Sequence, residues 1–463
     1  MRMIWLLVPA IGITAVGACF LRTPVSSPLS PAAISQPVRP QPAGSTGAFF
    51  GINEALSVPS VLVRNRTVSG SQQAAELVED SRGVAALGAT VVRANSHTYP
   101  FFNHKQYSNN AVVSQERADR YFSVLSESGL DMVAVIGPWP GIQTGNYTDH
   151  YLPDDMDAYA QFVEDIVERY DGDGIDDAPA LHPVLAWEID NEPDLHNRVP
   201  PRGAKRDVDP STFQTPEEYA EVLLVTAAAI RRADPDATIL SGGMYNVRAS
   251  AGADYLETLL SIEGVLDAVD VLALHCYSDD DSLDAIEQTL AVGARLAPGK
   301  PIWITETGAS SQGKHRWQSE AWQAQMVVGI HAAALIGGAE RLFWHTLADP
   351  PQRSNTRSMP FSHHSLMATQ KSTWEGGGST SRVKKPSGEA YTRLIGHLAA
   401  VPRSDISELP AAGGRLMAAG DSMLAFWGTP ELPPGDWVFE DLLTGARIDT
   451  PTAPAWISPR NGE

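Results

Sequence analysis

Trp187-Glu188-Ile189-Asp190-Asn191-Glu192-Pro193 and Ile302-Trp303-Ile304-Thr305-Glu306-Thr307-Gly308 decide how this chain is read. Each is a short apolar run that becomes polar at its C-terminal end. Runs of this length, bounded by turn formers, read as buried strands. Each strand therefore carries a glutamate, Glu192 or Glu306, at or just past its C-terminal end. The interval between them has room for about three strand–helix units.

Working outward, apolar runs of the same kind occur at 49–53, 90–94, 131–136, 184–188, 238–241, 269–275, 301–305 and 341–344. Helical periodicity fills the gaps. Tyr159, Phe162, Val163, Ile166, Val167 and Tyr170 recur at i, i+3, i+4 spacing, which is one face of a helix. Thr215-Pro216-Glu217-Glu218 reads as a helix start, with a threonine cap, proline in the first turn and glutamate three residues after the cap. Further helices fit 71–87, 114–128, 252–261, 282–294, 318–336 and 388–398. Eight strand–helix pairs close most simply as an α/β fold of the (β/α)8 TIM-barrel type, spanning 48–398. A doubly wound sheet is the alternative, but no glycine-rich phosphate loop follows the first strand.

Residues 399–463 differ in character. Leu416-Met417, Met423 to Trp427, Trp437-Val438-Phe439 and Ala455-Trp456-Ile457 are short and strand-like, with Pro433-Pro434-Gly435 and Thr444-Gly445 between them. They predict a small β-sandwich-like C-terminal domain. Residues 350–387 are polar and include Gly376-Gly377-Gly378, so they read as an irregular wall on the barrel face where strands end.

The start of the chain reads as an export signal. Arg2 precedes an apolar stretch from Ile4 to Ala18 that is short for a spanning helix. Val16-Gly17-Ala18-Cys19 resembles a bacterial lipobox, which implies a signal peptide over 1–19 and lipidation at Cys19. Ordinary cleavage after Ala18 is the alternative. Residues 20–47, rich in proline, serine and alanine, read as a disordered tether. The expected localisation is thus exported, as a cell-envelope lipoprotein or otherwise periplasmic or secreted. The only contact with a membrane would be through Cys19.

The 463 residues carry a net charge of −21, which argues against nucleic acid as a partner. An apolar fraction of 43% supports a large core, and eleven tryptophans suit either that core or a sugar-binding cleft. The two cysteines, Cys19 and Cys276, permit neither a disulfide framework nor a cysteine-based zinc site. Asp171-Gly172-Asp173-Gly174-Ile175-Asp176-Asp177 offers four closely spaced carboxylates. Asp171, Asp173, Asp176 and Asp177 are weak calcium candidates, since no bidentate glutamate follows at the helix-loop-helix distance. A solvated acidic turn is the plainer reading.

Asn-Glu-Pro after an apolar strand, with Thr-Glu-Thr-Gly ending a later one, resembles the clan A retaining glycoside hydrolases, over roughly residues 49 to 398. The strand-end signatures look most like the β-xylosidase-containing family 39. The resemblance implies double displacement with Glu192 as general acid/base and Glu306 as nucleophile, which requires the first protonated and the second ionised at rest. It implies that Asn191 bonds the sugar 2-hydroxyl, and that Tyr277, in His275-Cys276-Tyr277, donates to the nucleophile while His275 lines the floor. Trp344 would be the aromatic floor under the sugar, with His345 beside it and Trp139 and Tyr245 shaping further subsites. Arg93, ending the second strand, is placed to hold Glu306 ionised or to form a structural ion pair. Glu188 and Asp190 read as supporting groups. The implied substrate is a β-linked oligo- or polysaccharide, and the mechanism needs no metal or organic cofactor. An envelope transglycosidase using the same residues, or a carbohydrate-binding protein without turnover, are the alternatives.

Overall fold

The structure, a computed structural model, describes residues 46–53, 70–94, 119–138, 153, 155–179, 183–196, 215–278, 280–312, 315, 317–348, 363–374 and 377–460. The leader with Cys19, most of the tether, and Trp139 lie outside the described residues.

Eight parallel strands form the barrel: β1 (Phe50–Asn53), β2 (Val91–Ala94), β3 (Asp131–Ile136), β4 (Ala186–Ile189), β5 (Ile239–Leu240), β6 (Leu272–Tyr277), β7 (Ile302–Gly308) and β8 (Arg341–His345). Their order is β5-β4-β3-β2-β1-β8-β7-β6. Two single bridges, Leu240 to Val271 and Met244 to Leu274, join β5 to β6 and complete the ring. This is the barrel expected from the alternation of runs.

The helices between strands are α1 (Gly70–Leu87), α2 (Met156–Tyr170), α3 (Pro216–Ala233), α4 (Ser250–Ser261), α5 (Asp284–Leu296), α6 (Glu320–Ile336) and α7 (Pro386–Leu398). A further helical run covers 119–127. The Asp155 side chain caps α2 by accepting from Ala158 N, and α2 buries the six apolar residues singled out by their spacing. Thr215 and Glu218 bond each other's backbone N–H at the start of α3, so the capping box forms. Among the described residues no helix is long and apolar enough to cross a membrane.

The α6 sequence, EAWQAQMVVGIHAAALI, has no polar stripe. A helix apolar all round must be covered all round. One side of α6 packs on the barrel and its neighbours α5 and α7, and the other receives the C-terminal sheet. That sheet has six antiparallel strands, β11 (Ile406–Leu409), β12 (Gly414–Ala419), β13 (Ser422–Gly428), β14 (Trp437–Asp441), β15 (Arg447–Ile448) and β16 (Ala455–Pro459), in the order β11-β12-β13-β16-β14-β15. The expected β domain is therefore present, but as one sheet. The second layer of a sandwich is supplied by helices: Met417, Leu424 and Phe426 join the main barrel core, and His397 of α7 stacks on Trp456 at 4.5 Å.

A second difference concerns 350–387. Met367–Trp374 (β9) and Gly377–Lys384 (β10) pair as an antiparallel hairpin, where the sequence suggested irregular chain. Serine and threonine dominate the pattern, so no apolar alternation betrays the strands. A buried ion pair, Arg382 Nε to Asp80 Oδ1 at 2.6 Å, fastens the hairpin to α1.

Candidate active site

Side chains alternate across a strand, so every second residue of a barrel strand points inward. Val91, Val133, Ala186, Leu240, Val271, Ala273, Trp303 and Phe343 form a separate apolar cluster, the plug inside the barrel. Two residues further along the same faces the chemistry changes. Asn53, Arg93, Glu188, His275, Thr305 and His345 form the next layer, all buried. Tyr277, two residues beyond His275, stands above it.

Glu306 needs an additional device. Trp303 and Thr305 both face inward, so strict alternation would send residue 306 out to the helices. The pairing of β7 shifts register against both neighbours: Leu274 pairs Ile304 but His275 pairs Glu306, and Ile304 pairs Leu342 but Thr307 pairs Trp344. This bulge turns Thr305 and Glu306 to the same side. Three donors then hold the carboxylate. Tyr277 donates its hydroxyl to Oε1, Asn53 donates Nδ2 to Oε2 at 2.9 Å, and Arg93 donates Nη1 to Oε2 at 3.4 Å. Burial alone would raise the Glu306 carboxyl. Nearby His275, His345 and Arg93, with the Tyr277 hydroxyl, outweigh it and bring it down to about 2.

Glu192 sits at the opposite wall. Asp190 and Glu192 both adopt left-handed backbone, φ 71° and 52°, one on either side of Asn191. Such conformations cost about 1–3 kcal/mol for residues other than glycine. Bonds hold the turn in place: Asn191 N donates to Asp190 Oδ1 at 2.6 Å and Glu192 N to Gly243 O at 3.0 Å. The Asp194 carboxylate, on the helical turn that follows, accepts from Tyr245 N and Asn246 N. The Glu192 carboxyl is raised well above the ordinary range, first by burial and then by the negative charges of Glu306 and Asp194, with Arg93 and His345 opposing. Its Oε1 lies 2.9 Å from His275 Nδ1. Burial pulls His275 down to about 4, so the imidazole is neutral at neutral pH. One oxygen of each glutamate and a His275 nitrogen all fall within 4.8 Å of one another.

Arg93 is shared. Its closest partner is Glu188, through Nε at 2.6 Å and Nη2 at 2.7 Å, and its contact with Glu306 is the longest it makes. Nη2 also donates to Asn191 Oδ1 at 2.9 Å. Both readings of Arg93 are thus realised at once, the ion pair more tightly.

Trp344 is a correction. It is fully buried, belongs to the main core, stacks on His331 of α6 at 5.9 Å, and donates Nε1 to His364 O at 2.8 Å. Phe343 faces the barrel plug, so residue 344 must face the helices and residue 345 the interior. His345 occupies the position expected of the aromatic floor. Its ring lies edge-on to Tyr277 at 6.2 Å. Asn53 Nδ2 donates to His345 Nδ1 at 3.2 Å, while Asn53 Oδ1 accepts from Arg93 at 3.0 Å. The arginine fixes which way the amide points, with its NH2 toward His345 Nδ1.

Asn53 is a site residue that sequence reasoning missed. Its only signal was a polar residue closing the apolar run Phe50-Gly51-Ile52. Cys276, between His275 and Tyr277, faces the helices, and burial pushes its thiol up to about 11. Tyr245 is 38% exposed beyond β5.

The acidic loop lies away from this layer. Oxygens of Asp171, Asp173 and Asp177 come within 4.8 Å of one another, and Asp176 is not part of that group. They already accept backbone N–H bonds from Asp173, Ile175, Gly172 and Gly174.

Residues 84–279 match the model of glycoside hydrolase family 44. That stretch includes Arg93, Glu188, Asn191, Glu192, His275 and Tyr277 and ends before Glu306. Among solved structures, the chain resembles an exo-β-1,4-mannosidase from Opitutaceae bacterium strain TAV5, with 19% identity and TM-score 0.52 over 78% of this chain and 61% of that one. It resembles a monomeric β-xylosidase from Caulobacter crescentus CB15, with 18% identity and TM-score 0.51 over 86% and 74%. A GH39 enzyme from Xanthomonas axonopodis pv. citri shares 16% identity and TM-score 0.51 over 85% and 79%. The chain therefore spans 61% of the length of the mannosidase. No curated protein matches it. In fold and in its family match the chain is similar to the clan A glycoside hydrolases, the class its two strand-end motifs resemble.

Proposed function

We propose that the chain is a retaining glycosidase acting on a β-linked oligo- or polysaccharide by double displacement. The observation that supports this reading is the opposite treatment of two buried carboxyls in one cavity: His275, His345, Arg93 and the Tyr277 hydroxyl pull the Glu306 carboxyl down, while burial and the charge of Glu306 push the Glu192 carboxyl up. Environments that push a pair apart in this way assign the acid and the nucleophile. An oxygen of each lies within 4.8 Å of the other. That closeness supports the short carboxyl separation of a retaining pair, about 5–5.5 Å, over the wider one of an inverting pair.

In the first step Glu306 attacks the anomeric carbon as the bond to the leaving oxygen breaks, and that oxygen takes the proton of Glu192. In the second, ionised Glu192 takes a proton from water, the water attacks the same carbon, and Glu306 leaves. Each step inverts the centre, so the configuration is kept. His275, neutral beside Glu192, can accept a hydrogen bond from the protonated acid through Nδ1. Asn191 reaches the sugar 2-hydroxyl from a side chain fixed by Arg93. The β-linkage is inferred from neighbours named as a β-mannosidase and a β-xylosidase. Export with a lipid anchor at Cys19 belongs to the same proposal.

The test is turnover of a panel of aryl β-glycosides and soluble glycans by the wild type, Glu306→Ala and Glu192→Ala, with product anomers followed by NMR. Cleavage with retention by the wild type is expected, together with loss of activity in Glu306→Ala. Glu192→Ala should keep the first step only for aglycones that leave without protonation. An inverted product would refute double displacement. Binding of glycans with no turnover of any panel member would instead favour a carbohydrate-binding role.

A further inference from the structure

Glu188, on β4, is a carboxylate set wholly within the barrel wall, at 0% exposure. A lone ion there would cost several kcal/mol, so it must be paired. Its partner, Arg93, has five N–H groups, and all five are used. Nε and one Nη2 hydrogen go to Glu188, the other Nη2 hydrogen to Asn191 Oδ1, and the two Nη1 hydrogens to Asn53 Oδ1 and Glu306 Oε2. Glu188 is itself fixed from β7 and from the segment beyond β5: its Oε1 accepts from Thr305 Oγ1 at 3.4 Å and from Gly243 N at 2.9 Å. The two-pronged Glu188–Arg93 contact sets the plane of the guanidinium, and that plane aims the remaining three hydrogens.

We infer that Glu188 is a positioning residue of the active site, which orients Arg93 toward Asn53, Asn191 and Glu306 and cancels its charge. This rests on the glycosidase reading for its meaning, but its electrostatic half can be read without a substrate. Arg93 touches both working carboxylates' surroundings. With its charge cancelled it can orient Glu306 without stripping Glu192 of its proton. The groups that face Glu192 are Glu306 on β7, His275 on β6, Arg93 on β2, His345 on β8 and Asp194 on the turn that follows it. Glu188 is the charge that balances the arginine in this set.

Glu188→Gln removes the charge with little change of shape. Its amide offers one acceptor and one donor, so it cannot receive two arginine hydrogens. Glu188→Asp keeps the charge but shortens the reach by one methylene. The first readout is the Glu192 carboxyl titration by 13C NMR, assigned by its loss in Glu192→Gln. It should move down by about one unit in Glu188→Gln and stay in place in Glu188→Asp. The second is turnover of an aryl glycoside: kcat should fall about 10- to 100-fold in both variants, with KM within about threefold. A residue that only supported the fold would lower the melting temperature and leave the Glu192 titration where it was. An unmoved titration in folded Glu188→Gln overturns the inference. So does wild-type kcat in Glu188→Asp, which also decides the matter should Glu188→Gln not fold. If the wild type cleaves no glycoside, the hydrolase reading fails while the titration still tests the role of Glu188.

Discussion

Tyr277→Phe removes one donor from Glu306, the proposed nucleophile. The hydroxyl bonds Glu306 Oε1, while Asn53 and Arg93 serve the other oxygen, so Oε1 is left without its donor in the variant. A hydrogen bond to a charged group contributes about 1.5–3 kcal/mol, and one unit of pKa corresponds to about 1.4 kcal/mol. Glu306 should therefore rise by about one to two units from its value of about 2. The sign follows from its proposed role: a nucleophile works ionised, the folded value of Glu306 is depressed, and activity is lost as pH falls through that value. Raising the value moves the loss to higher pH. The assay is kcat/KM for an aryl glycoside against pH, with circular dichroism at each point to exclude unfolding. The wild type should stay on its plateau down to the lowest pH at which it is folded, whereas the variant should show an acidic limb between about 3 and 4. A variant profile that overlays the wild type would show that Tyr277 does not hold the charge of Glu306, and the assignment of the nucleophile's donors would fail.

Trp344→Ala should behave as a core deletion, costing about 3–5 kcal/mol in urea unfolding, with KM of the folded enzyme within about threefold of wild type. A large rise in KM with little loss of stability would return Trp344 to the floor of the cleft. His331 stacks between Phe50 and Trp344, and burial pulls it from 6.5 to about 4. Between these values the unfolded chain binds a proton that the folded one does not, so stability falls as pH drops from about 6.5 to about 4. His331→Leu should reduce that loss by up to about 3 kcal/mol in chemical denaturation at pH 7 and pH 4. An unchanged difference between the two pH values would show that His331 is not held neutral.

The strand–helix alternation was legible because each run is long enough to carry its own period. Both glutamates were legible because an apolar strand ending in a carboxylate has few structural explanations. Two features at the same site were not. Which of Trp344 and His345 faces the barrel interior depends on the phase of a two-residue period in a strand of five residues, Arg341–His345, and both residues are plausible inside. Phe343 settles that phase only once it is seen in the barrel plug. The inward aim of Glu306 depends on a bulge, and Thr305-Glu306-Thr307 carries no sign of one, since neither glycine nor proline marks it. Asn53 was hidden for a simpler reason, because one asparagine at a strand end is common. The β9–β10 hairpin escaped because its sequence, MATQKSTW and GGSTSRVK, has no alternation of apolar and polar residues.

The coverage of α6 has a consequence for the modularity of the chain. Thirteen of its seventeen residues are buried, and one side of it owes that burial to β13 and β11 of the C-terminal sheet. A chain ending near residue 399 would leave that apolar side open to water, on the helix that follows the strand bearing Glu306. The change in sequence character at 399 divides two architectures, and the shared burial of α6 predicts that the two fold as one unit. The sheet acts as the outer wall of the barrel's last quarter. Heat or denaturant should release the two parts together, and transplanting either one alone into another protein would carry an exposed apolar face with it.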